Sequence, residues 1–300
     1  MTTLEEERPT SPAEWRAAGA AFEYRGHRIF YREAGSGPPL VCIHGFPTAS
    51  WDWHRVWPWV SARFRVIAPD LIGFGFGFSD KPRDYDYSLF DQADLVTALC
   101  KSRGMGSAHI LAHDYGDSVA QELLGRATER RVGALTVRSV CFLNGGLFPD
   151  ATRPRPIQRL LLTPVAPLLV RLYNRRLFRR SFRPLFGPRT RPGDEELDRF
   201  WEVICYNRGL RIGHRLARYQ EERRRYGERW IGALCTTKAP LRFIVGLADP
   251  VSGASMAERY RQAVPDPDVL LLENIGHYPQ LEDPVAVVRE LLAFIRPGSD

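Results

Sequence analysis

Ala108-His-Ile-Leu-Ala-His-Asp-Tyr-Gly-Asp-Ser118 runs from an apolar strand into a tight turn and out into a helix. The turn has the form small–x–Asp114–x–small, with Ala112 and Gly116 as the small residues. This is the pattern of a nucleophile elbow, a strained turn whose central side chain stands above a sheet and whose neighbours must be small. Its position at a helix N-terminus favours an ionised carboxylate through the positive end of the helix dipole. Serine is the usual occupant, and here the frame puts Asp114 there. Taken alone, Asp114 reads equally well as a plain N-cap of the following helix. A second frame, Gly116-Asp-Ser118-Val-Ala120, offers Ser118 instead, but about one turn inside the helix and away from the strand end.

Working outward, short apolar runs at residues 40–43, 64–68, 108–112, 137–143, 241–245 and 269–272 alternate with helical patterns at 89–100 and 119–130. A hairpin over 21–33, turning at Gly26, precedes them. Such alternation predicts an α/β fold with a mostly parallel sheet and helices on both faces. In such sheets chemistry gathers at the carboxyl ends of the strands. The last helix is marked by Asp283 as cap, Pro284 at its first position and an apolar stripe of Val285, Val288, Leu291, Leu292 and Ile295.

Partners for Asp114 follow in the order nucleophile, acid, histidine. The run ending at 245 leads into Gly246-Leu-Ala-Asp249-Pro250, and the run ending at 272 into Asn274-Ile-Gly-His277-Tyr-Pro. Alone, Asp249 reads as a turn residue and His277 as a structural histidine. Together, after the last two strands and 28 residues apart, they read as the acid and base of a triad. His44-Gly45-Phe46-Pro47 follows the run at 40–43. Gly45 permits close backbone approach, so the N–H groups of Phe46 and Tyr115 are candidates for an oxyanion hole. His44 reads as structural.

Four ordered motifs, HGFP at 44–47, GFSDKP at 77–82, HDYGD at 113–117 and GHYPQLEDP at 276–284, resemble the epoxide hydrolase and haloalkane dehalogenase branch of the α/β-hydrolase superfamily over about residues 20–297. A closer resemblance is to the mesoderm-specific transcript group and its bacterial relatives. It is carried by Asn144-Gly-Gly-Leu-Phe-Pro-Asp150, Leu185-Phe-Gly-Pro-Arg-Thr-Arg-Pro192, Arg229-Trp-Ile-Gly-Ala-Leu234 and His277-Tyr-Pro-Gln-Leu-Glu-Asp-Pro284. The resemblance implies an α/β-hydrolase fold with an inserted helical cap at 147–232. The core would be 20–146 and 233–300, behind an N-terminal tail at 1–19. It implies a hydrolase that forms an ester on Asp114, with epoxides as first substrate class and a small or lipid-like apolar substrate. Haloalkane dehalogenase and esterase or lipase-type chemistry are the alternatives within the enzyme class. A non-catalytic lipid- or partner-binding protein is the competing class. Tyr115 stands where dehalogenases usually carry a halide-binding Trp. Ring opening in this branch uses tyrosines of the cap as proton donors; Tyr219 is the first candidate, with Tyr173, Tyr206 and Tyr226 behind it. His44, Gly45, Pro47 and His113 are expected around the pocket, and no metal or organic cofactor is implied. The loop Gly73-Phe-Gly-Phe-Gly-Phe78 carries an extra Gly-Phe that would alter the pocket wall.

Charge is unevenly placed. The chain carries a net +7, yet residues 151–230 hold 20 Arg, no Lys and 8 acids, a local +12 that leaves about −5 elsewhere. One reading is a basic amphipathic face docking peripherally on anionic membrane; the other is a helix packed over the site with solvated arginines outside. Nucleic-acid binding is not expected, since no aromatic-plus-basic motif accompanies the charge. No run approaches the ~20 apolar residues of a membrane span. The acidic, polar start is unlike a signal peptide, and the five scattered cysteines suit a reducing compartment, so a cytoplasmic location is expected.

Overall fold

A computed structural model describes residues 10–75 and 81–295. Most of the 77–82 motif and the second half of the 73–78 loop therefore lie outside the described residues.

Eight strands form one sheet: β1 Ala20–Tyr24, β2 His27–Ala34, β3 Pro39–Ile43, β4 Arg65–Pro69, β5 Ser107–His113, β6 Thr136–Leu143, β7 Leu241–Gly246 and β8 Asp268–Leu272. Their order is β1-β2-β4-β3-β5-β6-β7-β8. β1 pairs antiparallel with β2, and β2 antiparallel with β4; every later pairing is parallel. The mostly parallel α/β sheet is the one expected. β5 is the clearest case of why these residues make strands: six of its seven residues are buried, as a parallel strand covered on both faces requires.

Before the insertion come α1 Pro12–Ala17, α2 Trp57–Ser61, α3 Leu89–Ser102 and α4 Tyr115–Thr128. Between β6 and β7 lie α5 Pro156–Leu160, α6 Ala166–Leu172, α7 Arg175–Phe182, α8 Asp194–Cys205, α9 Gly213–Leu216 and α10 Tyr219–Thr236. The chain ends with α11 Ala254–Ala263, α12 Pro279–Glu282 and α13 Pro284–Phe294. Two apolar clusters flank the sheet. One gathers α3, α4 and α10, and the other holds Trp15, Trp51, Trp53 and Trp57 with Phe178, Phe182 and Phe200 of the insertion.

Two details differ from the sequence reading. Residues 12–17, inside the stretch read as a tail, form a helix whose Ser11 and Glu14 make a capping box. Its Trp15 is 0% exposed, packs edge-on to Trp57 at 5.0 Å and donates to Ser50 Oγ at 3.1 Å. On α13, Asp283 caps Ala286 N–H at 3.0 Å as read. The buried face there is Val287, Val288, Leu291 and Ile295, while Val285 and Leu292 are only half-buried.

Candidate active site

β5 ends at His113, and Asp114 follows with φ 47° and ψ −102°, a conformation costing an L-residue about 1–3 kcal/mol. The turn closes because Gly116 lacks a side chain; a Cβ there would stand 2.2 Å from the Ile43 carbonyl oxygen. Gly45 clears the other side, where a Cβ would meet His113 Nδ1 at 2.6 Å and Asp114 Cβ at 3.1 Å. Asp114 occupies the N-cap position of α4, yet its side chain makes no capping hydrogen bond. Its Oδ2 accepts the Phe46 N–H at 3.1 Å instead. Tyr115 opens α4, so its N–H has no partner within the helix. The carboxylate is 3% exposed.

Asp249 and His277 meet above the ends of β7 and β8. His277 Nδ1 lies 2.8 Å from Asp249 Oδ2. The same oxygen accepts the Asn144 amide at 2.9 Å and faces the Ser252 hydroxyl at 2.9 Å, while Oδ1 accepts the Val251 N–H at 2.7 Å. Burial opposes the charge on Asp249, but the His277 charge and these hydrogen bonds outweigh it and hold its pKa below the usual carboxylate range. Burial likewise opposes charge on His277, and Asp249, with smaller help from Asp114, lifts it to about 9. Both directions describe one ion pair. Asn144 closes β6 at φ 41° and exchanges hydrogen bonds with Gly246 of β7, so one amide aligns two strand ends and the acid.

Glu282, near the end of the GHYPQLEDP motif, fixes the histidine loop. Its Oε2 accepts Gly276 N–H at 2.8 Å and Gly187 N–H at 2.7 Å, and its Oε1 accepts Tyr278 N–H at 3.0 Å. The His277 N–H itself donates to the Leu185 carbonyl at 2.8 Å. A Cβ on Gly276 would sit 2.3 Å from that carbonyl oxygen, so only glycine admits the insertion so close.

Arg223 enters from α10. Its Nη2 donates to the Asp114 carbonyl at 2.7 Å and stands 3.5 Å from Asp114 Oδ1; its Nε donates to Ser118 Oγ at 2.7 Å. Ser118, 0% exposed and bound this way inside α4, has none of the geometry of a nucleophile. Beside it Asp117 is fully buried, and burial together with the Asp114 charge pushes its carboxyl well above the usual range. The Arg223 guanidinium also lies 4.5 Å over the ring of Tyr219.

The four candidate tyrosines separate clearly. Tyr219 is buried, with its ring 5.0 Å from Tyr115 and 5.7 Å from Phe46, and the Asp114 charge adds to burial in raising its phenol pKa. Tyr173 lines the pocket but its hydroxyl is engaged with Ser181 Oγ at 2.5 Å. Tyr206 accepts from Arg16 at 2.6 Å, and Tyr226 packs against Phe90 and Trp230.

Between sheet and insertion lies a cavity of about 120 Å³ with mostly apolar walls, among them Phe46, Pro47, Leu160, Leu161 and Val170, and with His277 in its lining. Asp114 lies behind that lining. Of the other residues expected around it, Pro47 lines it, whereas His44, Gly45 and His113 sit beneath. His44 accepts the Leu71 N–H on Nε2 at 3.0 Å and its Nδ1 lies 2.8 Å from the Gly45 carbonyl. Those partners assign the neutral Nδ1–H tautomer, and burial pulls its pKa down to about 4. His113 Nε2 lies 2.7 Å from the His277 carbonyl, and burial pulls its pKa to about 3. Both histidines are scaffolding. Among the described residues, no group of three or more His, Cys, Asp or Glu is arranged to hold a metal ion.

Asn144, Ser252, Arg223 and Glu282 had no assigned role in the sequence reading. Asn144 closes a strand neighbouring the elbow, a position that could have marked it; the other three carry no local signal.

A family model described as the alpha/beta hydrolase family matches residues 40–290. The mesoderm-specific transcript protein of Mus musculus is 44% identical over 298 residues, covering 95% of this chain and 88% of that protein. The putative hydrolase LipZ of Mycobacterium tuberculosis is 37% identical over 289 residues, covering 95% and 99%. A haloalkane dehalogenase and a soluble epoxide hydrolase match over shorter stretches, 44% and 32% of this chain. Among solved structures, epoxide hydrolase CorEH superposes with a TM-score of 0.74 at 24% identity over 92% of this chain and 97% of that one, a likeness of fold.

Proposed function

Since the chain belongs to the alpha/beta hydrolase family, we propose that it is a hydrolase of the epoxide hydrolase type in which Asp114 is the nucleophile and His277 and Asp249 complete the triad. The observation that carries this reading is the aspartate at the elbow, strained to φ 47° and turned away from its helix toward the Phe46 N–H. A serine attacking an epoxide carbon would leave an ether that water does not cleave; an aspartate leaves an ester, which it does.

An Asp114 carboxylate oxygen bonds to an epoxide carbon as the ring C–O bond breaks. The Tyr219 hydroxyl gives its proton to the departing alkoxide. His277, oriented by Asp249, then takes a proton from water, and the resulting hydroxide adds to the Asp114 ester carbonyl. The N–H groups of Phe46 and Tyr115 hold the oxyanion. The acyl C–O bond breaks as His277 returns its proton to the departing diol oxygen, Asp114 emerges as a carboxylic acid and loses its proton to solvent, and Tyr219 regains a proton from solvent. Helices α5–α10 act as the cap that closes the apolar pocket. Tyr219 favours an epoxide over a halide, because a halide leaves without needing a proton.

The test is His277→Gln incubated with epoxides, haloalkanes and esters, followed by intact and peptide mass. An adduct on the Asp114 peptide, with the mass of the substrate, is the expected result. An adduct on Ser118 overturns the assignment in favour of an esterase. No adduct with any class points to a non-catalytic binding protein.

A further inference from the structure

From residue 151 to 193 the chain has eleven arginines and not one Asp, Glu or Lys. The helices of this stretch do not behave as an ordinary solvated face. α6 buries Ala166 and Val170 and turns Leu169 into the pocket, yet its opposite side is also apolar. Val165, Leu168 and Leu172, at i, i+3 and i+7, are 54%, 59% and 64% exposed. Leu160 on α5 and Leu177 on α7 are exposed too. A helix apolar all round is at home in a core or in lipid. Arg159, Arg171, Arg176 and Arg180 stand exposed around this stripe, and none of them forms an ion pair among the described residues. The neighbouring Arg175, Arg179 and Arg183 instead pair with Asp194 and Asp198.

We propose that α5–α7 form a docking surface for a bilayer rich in anionic phospholipid, with the leucine stripe in the acyl boundary and the free arginines on the headgroups. Apolar side chains ringed by basic ones are what an interfacial helix needs, and the eleven-arginine, acid-free stretch supplies complementarity to an anionic surface alone. Among the described residues no helix is long and apolar enough to cross a membrane. The surface opens on the pocket: Leu160 is both exposed and part of the cavity wall, and Leu161 and Leu169 continue the apolar path inward. An amphiphile can thus pass from the bilayer to His277 without crossing water. Docking stands independently of the Asp114 chemistry and is read without activity.

The experiment is flotation of the full chain with vesicles of phosphatidylcholine alone or mixed with phosphatidylglycerol, at 50 and 500 mM salt. Binding to the mixed vesicles, at least tenfold weaker to phosphatidylcholine and weakened by salt, is expected. Arg171→Gln with Arg176→Gln should weaken it about 25-fold, from roughly fivefold per arginine. Leu168→Asp with Leu172→Asp, both at solvent-exposed positions and checked by circular dichroism, should abolish it. Failure to float with anionic vesicles at 50 mM salt overturns the proposal. So does binding indifferent to the leucine variant, which would be charge attraction only. A concentration-dependent dimer in sedimentation that the leucine variant dissolves would assign the stripe to a second copy of the chain instead.

Discussion

The guanidinium of Arg223 rests against the strained turn at Asp114, 2.7 Å from the Asp114 carbonyl oxygen and 3.5 Å from its Oδ1. One inserted helix thereby reaches the strained turn of the core. Arg223 also holds Ser118 and faces Asp117, two polar groups shut off from water. Replacing it by Met leaves these groups uncompensated. We expect Arg223→Met to lower unfolding free energy by about 3 kcal/mol, since breaking a buried pair by removing one partner costs on the order of 3–5 kcal/mol. Activity per folded molecule should fall 10- to 100-fold, as the loss of a charged hydrogen bond worth about 1.5–3 kcal/mol predicts. Arg223→Lys should recover part of the stability but little of the activity, because one ammonium cannot reach all three acceptors. Urea melts beside kcat/KM separate the two effects, and equal activity in all three proteins would remove Arg223 from the site.

The pH dependence follows from His277. In the free protein its pKa is about 9, raised chiefly by Asp249 with a further contribution from the Asp114 charge. It is therefore protonated at pH 7 and cannot yet act as a base. In the proposed mechanism esterification removes the Asp114 charge, so the His277 pKa falls below about 9 just as a base is needed. Hydrolysis of the ester should accelerate with rising pH and level off before pH 9. The first step, which needs ionised Asp114 but no base, should show no such limb. Quench-flow with intact-mass detection should find ester accumulating at pH 5–6 and vanishing at pH 8. A hydrolysis rate flat from pH 5 to 9 would exclude His277 as the base.

Strands β3 to β8 each lay within about one residue of an apolar run, because strands of a mostly parallel sheet appear as near-continuous apolar runs. The elbow was legible for a local reason as well: Ala112 and Gly116 flank Asp114, and the backbone there tolerates nothing larger at Gly116. What escaped was long-range. Nothing near Arg223 in sequence distinguishes it from Arg224 or Arg225, yet it is 5% exposed and its neighbours are not buried. Glu282 lies inside a quoted motif, but its purpose becomes visible only when Gly187, 95 positions away, is seen donating to it. Trp15 lies in a stretch too polar to suggest a core, and the partners that bury it, Trp57 and Ser50, are more than 30 positions away.

Tyr219 offers a way to separate epoxide from ester chemistry. Its ring lies against Tyr115 and Phe46, and the Asp114 charge acts on its phenol. If it protonates the leaving alkoxide, Tyr219→Phe should cost 10²- to 10⁴-fold in the alkylation step with an epoxide, the usual contribution of a general acid. The deletion of one hydroxyl should leave hydrolysis of a preformed ester intermediate within about threefold. Tyr173→Phe, at the pocket wall and engaged with Ser181, should change KM more than kcat. If the Tyr173 variant lost the alkylation step and the Tyr219 variant kept it, the assignment would be reversed.

Glu122 tests stability apart from chemistry. It is 0% exposed on α4, and its carboxylate accepts Arg126 Nε at 2.8 Å, Arg229 Nε at 3.0 Å and Trp230 Nε1 at 2.9 Å. The last two come from α10, so this one side chain fastens the helix that carries Arg223 and Tyr219. Glu122→Leu leaves two guanidinium groups and an indole N–H without that acceptor. The expected loss is about 3–5 kcal/mol of unfolding free energy. Glu122→Gln keeps an acceptor oxygen and should lose about half as much. Because Glu122 lies two turns along α4 from the elbow, kcat of the folded fraction should stay within threefold below the melting transition. A large fall in kcat with little loss of stability would mean that α10 is positioned through Glu122 more delicately than its packing against α4 implies.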